Sequence, residues 1–141
     1  MSNEIILKKL EQIGKLLDDL EELLSKPFSD FENGTVNLRA AERNFQLIVD
    51  LASDINTQIL LEKGEKTPDS YRQSFVIAGK IGALPGKLAE KLSISAGLRN
   101  VLVHEYDFEE DSKKFYDSAK VFAPAYRDYA KEIYKYAKSS S

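Results

Sequence analysis

The chain has 141 residues, 43% of them hydrophobic, and a formal net charge of −3, which suits one domain with an apolar core and no covalent staples. It has no cysteine and a single histidine, which excludes disulfides, thiolate metal centres and histidine-rich metal sites and leaves a carboxylate-only site as the one metal option. Charges interrupt the apolar residues of "MSNEIILKKLEQIGKLLDDL" and no apolar run reaches the length of a membrane span, so a soluble, cytoplasmic chain is expected.

Residues 4–24 place Ile6, Leu10, Ile13, Leu17, Leu20 and Leu24 at alternating three- and four-residue steps, the stripe of an amphipathic helix. "SKPFSDFENGT" breaks that pattern, and its Pro27 and Asn33-Gly34 predict a loop. A second helix starts near Thr35 or Asn37, either of which can cap it, and stops near Gly64. Its apolar stripe is Ala41, Phe45, Ile48, Ala52, Ile55 and Ile59. The other side carries Arg39, Glu42, Arg43, Gln46 and Asp50, many of them four apart and so neighbours. This row fits a partner surface as well as it fits ordinary exposed pairs.

The next stretch reads as two shorter helices. Thr67 or Asp69 begins the first, and Tyr71, Phe75 and Ala78 give it an inner face before Gly79, Gly82 and Pro85-Gly86 interrupt it. The second spans about Lys87 to His104, with Leu88, Leu92, Ala96, Val101 and Leu102 turned inward. Asp107 to Asp111 is an acidic turn. The last helix covers about Asp111 to Ala137, with a heptad-like seam of Phe115, Ala119, Phe122, Tyr126, Tyr129, Ile133 and Tyr136. Pro124 falls within it and predicts a kink or break. No stretch alternates with period two, so the expected fold is all-α: one bundle of four or five helices over residues 1–141.

Charge is blocked along the chain. Residues 1–62 carry six Lys/Arg against twelve Asp/Glu, whereas residues 63–104 carry seven against three. The basic block ends on "GLRNVLVHEYD", residues 97–107, which contains the histidine. An acidic protein can still present such a local positive surface to phosphates.

His104 has an ordinary reading, since a cation suits the negative end of a helix dipole. Its neighbours support another. Counted as α-helix, Asn100 and His104 are one turn apart. Arg99 brings a fixed positive fork and Tyr106 a phenol that donates or accepts. Such a set suits metal-free cleavage of an RNA phosphodiester. A base takes the 2′-hydroxyl proton, that oxygen attacks phosphorus, an acid protonates the 5′-oxygen and a cation steadies the phosphorane. One histidine per chain serves poorly as both acid and base, which argues for a homodimer that joins two motifs. No cofactor is expected, since glycine-rich phosphate loops and other catalytic signatures are absent.

"RNVLVHEY" resembles the R-x4-H-x-Y signature of HEPN-domain ribonuclease toxins of the HepT type, the partners of minimal nucleotidyltransferase antitoxins. The resemblance covers roughly residues 35–110, including "NLRAAERNFQLIVDLASDIN". It implies an antiparallel helical bundle, homodimeric, with Arg99 and His104 catalytic in metal-independent RNA cleavage and Asn100 supporting them. Tyr106 matches the tyrosine that a cognate, MntA-like nucleotidyltransferase modifies with AMP to silence the toxin. Glu42, Arg43 and Gln46 resemble polar positions that line or brace the RNA cleft. The acidic residues Glu105, Asp107, Glu109, Glu110 and Asp111 repel RNA unless they face away, and would suit antitoxin binding. The alternative reading is a non-catalytic helical module, a nucleotide-binding or docking subunit of a nucleotidyltransferase, motivated by the polar row on the second helix.

Overall fold

The computed structural model describes residues 2–33, 35–105 and 108–139, and gives no side-chain placement for residues 2, 32–36 and 104–111. Six α-helices follow in chain order: α1 (Ser2–Leu24), α2 (Phe28–Asn33), α3 (Thr35–Glu62), α4 (Tyr71–Lys80), α5 (Gly86–Asn100) and α6 (Phe108–Ser139). A π-helical turn, Val101–Glu105, extends α5. There is no strand among the described residues, as the missing period-two pattern predicts.

Both long amphipathic stripes face the core. The six α1 positions from Ile6 to Leu24 are buried, as are the six α3 positions from Ala41 to Ile59. The α6 seam is buried from Phe115 to Ile133, and Tyr136 packs half-buried against it. Asn3 meets Ala137 at one end of α1, and Arg127 meets Asp18 and Glu21 nearer the other, so α1 and α6 run antiparallel. Phe45 packs on Phe115, while Ala52 and Asn56 meet Tyr129, so α3 and α6 run parallel. Helices α4 and α5 pack on each other and close the bundle against α3 and α6.

Four expectations about local structure are corrected. The loop expected after α1 contains α2, because Phe28 and Phe31 lie one helical turn apart and both pack on Tyr116, with ring centroids at 5.3 and 5.0 Å. Tyr116 also donates to the Lys26 carbonyl and so ties this corner to α6. Helix α4 is capped by Ser70, whose hydroxyl accepts from Gln73 N–H at 3.1 Å, and not by Thr67 or Asp69. The expected acidic turn is already helix from Phe108. Finally, of the kink or break expected at Pro124 the break is absent: α6 continues across it, with Pro124 on its exposed side.

The stop near Gly64 is as expected. Gly64 has φ of 82°, Glu65 N–H bonds Leu60 O at 2.9 Å and Gly64 N–H bonds Leu61 O at 3.1 Å, the paired bonds of a Schellman motif. Among the described residues no helix is long and apolar enough to cross a membrane.

Candidate functional site

The site grows from the C-terminal end of α5. Arg99 occupies the last turn of that helix, where a cation is favoured by the helix dipole. Its side chain is 20% exposed and reaches back to α3, with Nε donating to Asp50 Oδ1 at 3.1 Å. Its guanidinium carbon lies 4.7 Å from the centre of the Tyr71 ring, at the first turn of α4. Nη1 approaches Asn100 Oδ1 at 3.4 Å. Three helices therefore hold one guanidinium, by a carboxylate at its edge and an aromatic ring under its central carbon. Nη2 has no hydrogen-bond partner among the described residues.

The same cluster perturbs Tyr71. Partial burial first, and then the adjacent Asp50 carboxylate, raise its hydroxyl above the ordinary tyrosine range, while the Arg99 charge pulls it down. Below Tyr71 the backbone is anchored as well. Ser74 Oγ donates to the Tyr71 carbonyl at 2.7 Å and accepts from Asn56 Nδ2 at 3.1 Å.

Asn100 is exposed, and it joins Arg99 directly. The backbone of His104 lies in the π-helix; its side chain, and Tyr106 altogether, lie outside the described residues. The π-helix widens the turn at this point. Its hydrogen-bond repeat is i to i+5, so Arg99 and Asn100 both lie about one turn before His104. π turns inside α-helices are rare and concentrate at functional sites.

The polar row on α3 is not a uniform solvated face. Arg43 is exposed and Gln46 half-buried, but Glu42 is 6% exposed. Glu42 Oε1 accepts from Arg39 Nη1 at 3.4 Å, while Oε2 is buried with no hydrogen-bond partner among the described residues. A buried orphan oxygen of this kind costs about 1–3 kcal/mol. Asp50, at the far end of the row, is committed to Arg99. Among the described residues no three His, Cys, Asp or Glu side chains converge as a metal site.

On another side of the motif helix, a cavity of about 440 Å³ lies between α5 and α6, lined by Leu98, Val101, Leu102, Phe115 and Phe122 with Arg72 and Lys114 among its polar residues. No pattern in the chain marks it, since its walls read as ordinary core positions.

Residues 13–133 match the family described as Ribonuclease HepT-like. The chain belongs to that family. Among curated proteins it is 37% identical, over 112 residues, to the "tRNA nuclease HepT" of Aphanizomenon flos-aquae, a match covering 79% of this chain and 76% of the relative. It is 27% identical over 107 residues to the "mRNA nuclease HepT" of Shewanella oneidensis, covering 74% and 77%. The fold is similar to that of solved structures. A mutant of the toxin–antitoxin MntA-HpeT superposes with a TM-score of 0.81 at 21% identity, over 92% of this chain and 97% of that one. The tri-AMPylated Shewanella oneidensis HEPN toxin in complex with MNT antitoxin gives 0.67 at 20% identity, over 88% and 97%. The expected HepT-type resemblance and all-α fold are therefore established, with six α-helices instead of four or five.

Proposed function

We propose that this chain is the toxin of a toxin–antitoxin pair and acts as a metal-independent endoribonuclease. The observation that carries the reading is Arg99, held beside Asn100 with Nη2 unpartnered among the described residues and about one helical turn before His104, in a chain of the Ribonuclease HepT-like family. Relatives named as tRNA and mRNA nucleases support RNA as the substrate class.

In this reading His104 exchanges protons with the ribose 2′-hydroxyl and the leaving 5′-oxygen, one histidine from each of two protomers taking one of the two roles. Arg99 stabilises the charge that develops on the phosphorane. Asn100 braces the Arg99 fork, while Glu42, Arg43 and Gln46 line or brace the RNA cleft. A nucleotidyltransferase antitoxin silences the enzyme by transferring AMP to Tyr106, where a bulky anion next to Arg99 excludes the RNA phosphate. The AMPylated, MNT-bound toxin among the fold relatives supports that class of partner.

The test is RNA cleavage by purified protein in EDTA, comparing wild type, His104→Ala and Arg99→Ala. Loss of cleavage in both variants is expected; equal activity in all three overturns the reading.

A further inference from the structure

We propose that Asp50 and Tyr71 are positioning residues that fix the Arg99 guanidinium for its work on phosphate, an inference that rests on the nuclease reading above. A free arginine side chain has many rotamers to lose, and a fork that must find a phosphorane oxygen while the bond breaks loses rate through misplacement. A displacement of 1 Å is worth about a hundredfold. Here that freedom is removed in advance. Asp50 takes Nε at 3.1 Å and fixes the rotation of the fork within its own plane. The Tyr71 ring, with its centroid 4.7 Å from the guanidinium carbon, fixes the tilt of that plane. Edge and face together leave Nη2 as the nitrogen without a partner among the described residues, the one free to meet a phosphate oxygen in this proposal.

Three observations make this a built arrangement. The clamp draws on three separate helices, α3, α4 and α5, so it exists only in the folded chain. Its two charged members are mostly shielded, with side chains 20% and 31% exposed for Arg99 and Asp50. The ring is itself seated, because the Tyr71 carbonyl accepts from Ser74, which accepts in turn from the buried Asn56.

The opposite role is excluded by the test. If Asp50 merely masked the Arg99 charge, its removal would raise affinity and turnover. If it positions the fork, its removal lowers kcat and leaves KM within about threefold. The experiment measures kcat and KM for RNA cleavage by wild type, Asp50→Ala, Asp50→Asn, Tyr71→Leu and Tyr71→Phe, each below its own melting temperature. Asp50→Ala and Tyr71→Leu are expected to lose on the order of tenfold to a hundredfold in kcat. Tyr71→Phe keeps the ring and is expected to stay within about twofold of wild type, a rescue that loss of the hydroxyl network would not give. Asp50→Asn, which keeps the acceptor and the fold, is expected between the two. Wild-type kcat in both Asp50→Ala and Tyr71→Leu, or a raised kcat/KM in Asp50→Ala, overturns the proposal.

A second readout separates this proposal from the reading beneath it. In 15N-labelled protein the Arg99 Nε–H should give a sharp, slowly exchanging signal, identified by its loss in Arg99→Ala and broadened in Asp50→Ala. If wild type cleaves no RNA, the nuclease reading fails and this signal alone decides the clamp. If wild type cleaves RNA but shows no protected Nε–H, the clamp fails and the nuclease reading stands.

Discussion

Tyr129 on α6 donates to Asn56 on α3 at 2.7 Å, in the middle of the core. Neither residue is exposed at all. From Asn56 the bonds continue through Ser74 to the carbonyl of Tyr71, so a polar thread runs from the last helix to the ring beneath Arg99. Ser53 also reaches Ser74, at 3.2 Å. Asn56→Leu strips Tyr129 of one acceptor and Ser74 of one donor, and should cost about 1–3 kcal/mol. Ser53→Ala removes one weak bond and should cost about 0.5–1 kcal/mol. Urea unfolding of the two variants checks the ranking, and a smaller loss in Asn56→Leu contradicts it.

Alkaline unfolding should report the two deepest tyrosines. Burial pushes the hydroxyls of Tyr126 and Tyr129 well above their ordinary value of 10.0. Below about pH 10 both folded and unfolded chains keep these protons, and stability is complete. Above it the unfolded chain releases protons that the folded chain retains, so stability falls by about 1.4 kcal/mol per pH unit for each tyrosine. Tyr126→Phe should show a shallower decline than wild type between about pH 10 and 11. Equal slopes in urea titrations across that range would contradict the assignment.

Gly79 on α4 faces Ala89 on α5 at close range. A Cβ there would stand 2.7 Å from the Cβ of Ala89, which has no flexible end to withdraw. Gly79→Ala should therefore cost about 1–3 kcal/mol by overpacking. Adding Ala89→Gly should recover most of the loss, and the pair should be strongly non-additive in denaturant unfolding. Simple additivity would mean that the helices separate freely.

Lysine should not replace arginine at position 99. Lys retains the charge but has no Nε edge for Asp50 and no planar face for Tyr71. Arg99→Lys is expected to reduce RNA cleavage by at least about a hundredfold while the thermal melt moves by only a few degrees. Activity close to wild type would show that charge alone suffices.

Much of this was legible in the chain because periodicity reports burial. The α1, α3 and α6 stripes run long enough for a 3.6-residue repeat to be unambiguous, and each became core. The elements misread were those governed by distant partners. Helix α2 is too short to show a period, and Phe28 and Phe31 are helical because Tyr116, far along the chain, buries them. The site divides in the same way. Arg99 and Asn100 stand out as polar residues clustered at one helix end. Asp50 stood in the sequence as one member of a surface row, and Tyr71 as an inner-face aromatic. No local signal joins either to Arg99, since that requires α3, α4 and α5 to meet. Glu42 looked solvated because helical spacing locates a face but not what covers it.

The π-helix after Asn100 makes the motif a length gauge. A π turn accommodates one residue more than an α turn, so deleting a residue between Arg99 and His104 would let α5 run on in regular winding. The step from Arg99 to His104 would then be four residues of α-helix in place of five across the π turn, which resets the rise and the angle between the two positions. The interval of four residues in this chain is therefore a property of its backbone winding as much as of its chemistry, and changes in length here should be harder to tolerate than changes in side chain at Val101 to Val103.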